Sequence, residues 1–69
     1  MKISNEEKRQ NALKIYTLID NCETEDDIDR VNDIIDESML GGRIFKKTYK
    51  FLSEELDDRL MTLVEAGLV

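Results

Sequence analysis

Sixty-nine residues with a net charge of −6, no histidine, no proline and one cysteine describe a single small acidic domain that no internal disulfide can staple. Without an imidazole or a Cys-x-x-Cys pair there is no credible zinc site or histidine-based catalyst, and the negative body repels nucleic acid phosphates and anionic lipid. No run approaches the ~18 consecutive apolar residues of a membrane span, and Met1-Lys2 leads into Ser4-Asn5-Glu6-Glu7 rather than an apolar signal core, so a soluble cytoplasmic protein is expected.

Ser4 and Glu7 spell the capping box that opens a first helix, with Glu6 favouring its positive end. Ala12, Ile15, Tyr16 and Ile19 follow at i, i+3, i+4, i+7 as its apolar stripe, flanked by Leu13 and Leu18. Asn21-Cys22-Glu23 is the expected connection. Thr24 caps a second helix whose first turn holds Glu25, Asp26 and Asp27, with Asp27 standing where a capping box takes Glu or Gln. Ile28, Val31, Ile35 and Met39 form its inward stripe and Ile34 its edge. Gly41-Gly42 ends it, Gly41 being assigned the left-handed position.

Phe45, Tyr49, Leu52, Leu56, Leu60 and Leu63 recur at spacings of 4, 3, 4, 4 and 3, which predicts a long third helix from about Ile44 to Glu65. Its start is poorly marked: position 45 offers no capping side chain, and Lys46 and Lys47 oppose the dipole. Residues 43–52 are rich in β-formers, so a second reading starts the helix at Ser53-Glu54-Glu55 and pairs the preceding stretch between molecules. Gly67 terminates the helix and Leu68 folds back on its last turn. The expected fold is all-α, a small three-helix bundle in which an antiparallel helical hairpin is closed by a longer third helix. That helix would run ~33 Å against about 24 Å for the others, and the surplus leaves a homodimer open.

From Asp20 to Glu37 the chain carries nine carboxylates against one cation, Arg30. On a helical wheel Glu25, Asp26, Asp29, Asp33, Asp36 and Glu37 share one side, opposite the inward stripe. Asp29 and Asp33, like Asp33 and Glu37, sit four apart and so ~5–6 Å from each other, which mildly destabilises the helix. Tolerance of that repulsion points to a cationic partner surface. The plainer reading is a solvated face that keeps a small protein soluble.

Arg43, Lys46, Lys47 and Lys50 form a second stripe at i, i+3, i+4, i+7, suited to an acidic partner or phosphate, or to neutralising the acidic helix within one chain or between subunits. Four cations on a net-negative body do not favour direct nucleic acid binding. Ile44 and Phe51 project away from the main seam of the third helix and are natural partner contacts, unless a three-helix core uses both flanks of that helix; Met61, near the basic side, poses the same choice. Cys22 beside Glu23 lacks a cation to activate it. The acidic run lacks the Asp-x-Asp-x-Asp-Gly order of an EF-hand, and Gly41-Gly42-Arg43 lacks the ending of a phosphate loop. No catalytic residue, cofactor or metal ligand is therefore assigned, and the chain is not read as an enzyme.

The order of capped acidic hairpin, Gly-x-Ile and long helix resembles small helical segments of phage and plasmid proteins, without a motif that transfers residue roles. The leading expectation is a binding module that modulates a protein partner with a basic surface. Alternatives are a DNA or RNA mimic that inhibits a nucleic-acid-binding protein, and a self-assembling structural or regulatory subunit whose acidic helix meets the basic stripe across a two-fold axis.

Overall fold

Local capping chemistry places the first two helix starts. In the computed structural model, which describes residues 3–69, the Glu7 amide donates to Ser4 Oγ at 3.1 Å at the head of α1 (Asn5–Asp20). Before α2 (Glu25–Leu40), the Asp27 amide donates to Thr24 Oγ1 at 3.1 Å. Asp27 Oδ2 in turn accepts the amides of Thr24 and Glu23 at 3.2 and 3.1 Å. The shorter Asp side chain thus completes the capping box and takes a second donor as well.

The third helix, α3 (Lys46–Glu65), starts at Phe45 with no side-chain cap, and its first turn contains no acid. It is continuous through residues 46–52, so the extended alternative for 43–52 falls and no strand occurs among the described residues. Its length is ~30 Å, slightly shorter than the sequence suggests because Ile44 and Phe45 lie outside it.

The chain leaves α2 one residue later than the spacing suggests. Gly41 keeps φ at −82°, and Gly42, at φ +68°, takes the left-handed position that was assigned to Gly41. The Gly42 amide then reaches the Met39 carbonyl at 3.1 Å and the Arg43 amide reaches that of Ser38 at 2.8 Å, closing a Schellman turn. Gly67, at φ +74°, ends α3 in the same way, with the Leu68 amide on the Leu63 carbonyl at 2.9 Å.

All three helices pack on one another. The core is Ile15 and Ile19 from α1, Cys22 from the connection, Ile28, Val31 and Ile35 from α2, and Leu52, Leu56 and Leu63 from α3, with Ile44 buried beneath the second turn. Met39, Tyr49 and Leu60 close its edges. Two expectations need correction. Ile44 is 3% exposed, because the Schellman turn swings it inward, and so it is a core residue and not a partner contact. Tyr16 is 38% exposed and leaves the inward stripe of α1.

Contacts between distant residues set the register. The Asn11 amide group donates to the Arg43 carbonyl at 3.0 Å, and Lys8 Nζ sits 4.9 Å above the Phe45 ring. At the opposite end Arg59 reaches the Cys22 carbonyl from α3. The helices α1 and α3 therefore run in the same direction and α2 runs against both. The end where α1 and α3 begin is called the base here, and the end at the α1–α2 connection the crown. The particle measures 43 × 16 × 15 Å.

Candidate interaction surfaces

The burial of Ile28, Val31, Ile35 and Ser38 turns one side of α2 inward. At 100° per residue the opposite arc collects Glu25, Asp26, Asp29, Asp33 and Glu37, all exposed. Asp36 belongs to the edge facing α3. It is half-buried, and its Oδ1 accepts a hydrogen bond from the Tyr49 hydroxyl at 3.2 Å. Arg30 lies on the other edge, grouped with Asp27, Leu18 and Ile34 in a shallow groove toward α1. The cation therefore stands along one margin of the acidic face, four residues after Asp26 and three before Asp33. Leu40, 88% exposed, sits on the acidic arc near the base.

The basic set divides. Lys46, Lys47 and Lys50 are exposed on the first turns of α3, whereas Arg43 belongs to the connection before the helix, tied by its carbonyl to Asn11. A four-residue helical stripe is thus not formed, because the spacing presumes a helix that has not yet begun at residue 43. Lys8 and Arg9 of α1 join these residues near the base, while Asp20, Glu23, Glu25, Asp57 and Asp58 lie toward the crown. Glu6, Glu7, Asp36 and Glu37 also stand toward the base, so the bundle is polarised along its length only in its balance of charge.

Between α1 and α3 the surface is apolar. Phe51, 49% exposed, stacks on Tyr16 with ring centroids 6.2 Å apart and planes inclined by 8°. Leu13, 68% exposed, stands beside them, and the three line a groove of about 380 Å³ with Arg9, Ala12, Thr48 and Leu52. Phe51 thus keeps the exposed position read from the sequence, but Leu13 and Tyr16 were missed as surface residues. For Leu13 a signal was present: it lies two positions from Ile15, which places it on nearly the opposite side of the helix.

Two groups have altered acidity. The amide of Glu23, and after it the side chain and amide of Thr24, hold the Asp27 carboxyl below the usual Asp value, with the Arg30 charge adding to the effect. Burial pushes the Cys22 thiol up, the Asp27 charge assists, and Arg59 partly offsets them. Its Sγ–H donates to the Leu18 carbonyl at 3.2 Å, so this sulfur is a packed core atom and not an activated nucleophile.

Among the described residues no group of three or more Cys, Asp or Glu side chains converges as a metal site, and no helix is long and apolar enough to cross a membrane. Comparison of the chain with protein-family models, curated protein sequences and solved structures gives no match.

Proposed function

We propose that this chain is a non-catalytic binding module that docks the outer face of α2 on the basic surface of another protein and modulates it. The observation that carries this reading is the set of five exposed carboxylates, Glu25, Asp26, Asp29, Asp33 and Glu37, on the outward side of α2, against the single cation Arg30 at its margin. Neighbours on that arc stand ~5–6 Å apart, a repulsion that a merely solubilising face has no reason to concentrate. Leu40 adds an exposed apolar anchor at the same face. In such an interface a few apolar anchors supply most of the affinity, while the carboxylates steer approach and fix orientation.

The partner is recovered by affinity capture from the native host at low salt and then studied purified. Reversing Asp26, Asp29 and Asp33 to Lys is expected to slow association and flatten its salt dependence, and Leu40→Ala to speed dissociation. Asp36 is left intact because its bond to Tyr49 joins α2 to α3. A triple variant that binds with an unchanged rate and salt slope overturns the reading. Competition by duplex DNA for the same partner surface would narrow it to mimicry of a phosphate track.

A further inference from the structure

In a three-helix bundle the cleft between two helices lies on the side away from the outer face of the third. The α1–α3 face, with Leu13, Tyr16 and Phe51, is therefore turned away from the acidic face of α2 and remains to be accounted for. Its charges are ordered along the helix axes. Lys47 and Glu55 lie four residues before and after Phe51, so each is about 6 Å from it along the axis. On α1, Arg9 lies toward the base from Tyr16 and Asp20 toward the crown. Asp20, Glu55 and Asp58 share one shallow groove at the crown end, where the only cation among its lining residues, Arg59, is held by the Cys22 carbonyl. The face thus has an apolar centre, a half toward the base where Arg9 and Lys47 stand with Glu6 of the first turn of α1, and an acidic half toward the crown.

We propose that a second copy of this chain covers the face, antiparallel and related by a two-fold axis that crosses the helices near the Tyr16–Phe51 stack. That axis sets α1 against α1 and α3 against α3 with their directions reversed. Lys47 then meets Glu55 of the partner subunit, Arg9 comes toward Asp20 of the partner subunit, and the apolar centres meet each other. The parallel two-fold arrangement instead sets α1 against α3. It brings Arg9 toward the partner's Lys47 and Asp20 toward the partner's Glu55, so like charges face at both ends, and the charge order selects the antiparallel form.

The size is adequate. A standard interface takes about 800 Å² from each partner, roughly a sixth of the 5176 Å² surface and comparable to one long side of the particle. A chain this short also gains from a second copy, since folding alone hides only about 60% of the surface of its unfolded chain. Both α2 faces stay outward in this dimer, so it stands independently of the docking proposed above.

Analytical ultracentrifugation of the full chain across micromolar concentrations, at low and high salt, tests the arrangement. The expected result is a dimer that weakens as salt rises. Leu13→Lys and Phe51→Glu, both at exposed positions, should each weaken dimerisation by roughly tenfold or more, with helical circular dichroism unchanged. Lys47→Glu should weaken the dimer, and adding Glu55→Lys in the same chain should restore it. A strict monomer, a dimer indifferent to both Leu13→Lys and Phe51→Glu, or a dimer tightened by Lys47→Glu, as the parallel form requires, overturns the proposal.

Discussion

Arg59 donates from both Nε and Nη2 to the main-chain carbonyl of Cys22, at 3.0 and 2.8 Å, across 37 residues of sequence. One guanidinium thereby fastens the α1–α2 connection to the C-terminal half of α3 and satisfies a carbonyl that neither helix can serve. Arg59→Met leaves that acceptor without its partner and is expected to cost about 1–3 kcal/mol. In a domain of this size each kcal/mol lowers Tm by roughly 4–8 °C. Arg59→Lys should recover only part of the loss, because an ammonium cannot present the same fork. Urea melts of both variants give the comparison, and an unchanged midpoint for Arg59→Met would contradict the clamp.

The capping box makes stability depend on pH in a defined direction. Asp27 accepts amides from Glu23 and Thr24, and its carboxyl is held below the ordinary Asp value in the folded chain. A depressed folded pKa contributes stability that is present above the unfolded value of about 3.9 and is lost as pH falls through the folded one. The stability gap between the parent chain and Asp27→Asn should therefore be constant at neutral pH and shrink in acid. A gap as wide at about pH 2 as at neutrality would contradict this assignment.

Adjacent glycines at the end of α2 should behave differently. Gly42 is left-handed at φ +68°, and an alanine there should cost about 1–2 kcal/mol. Gly41 keeps φ at −82°, and a Cβ built on it comes to 3.3 Å from the Glu37 carbonyl, a tight approach relieved by a shift of a few tenths of an ångström, so without a left-handed backbone it should cost less. Thermal melts of the two single variants should preserve that order.

Burial separates Ile44 from Leu40, although both are aliphatic and only four residues apart. Ile44 is 3% exposed, so Ile44→Ala should cost about 2–5 kcal/mol. Leu40 is 88% exposed, and Leu40→Ala should stay within about 0.5 kcal/mol. Chemical denaturation measures both, and equal effects would mean that Ile44 is not the core residue described.

What could be read from the sequence was whatever local chemistry decides. Ser4, Thr24 and Asp27 mark helix starts because their hydrogen bonds span three residues, and the period of the α2 and α3 stripes follows from 100° per residue. Apolar residues circle much more of α1, and α3 settles against Ile15 and Ile19 while leaving Leu13 and Tyr16 outside. That choice is tertiary. The same holds for Ile44, whose burial depends on how the chain turns at Gly42, and for Arg59, whose acceptor lies on a distant connection. Of the acidic set, five residues keep the open arc read from the wheel, and Asp36 is drawn aside by a tyrosine that no local pattern identifies.

The bare start of α3 has a consequence for how the molecule breathes. No side chain receives the leading amides of this helix, and Lys46 and Lys47 set positive charge against its positive pole. Lys8 over the Phe45 ring is a light tether by comparison. Deuterium should consequently enter the amides of residues 46–48 well before those of Leu52 or Leu56, and the fold should fray first from the base while the crown is still clasped.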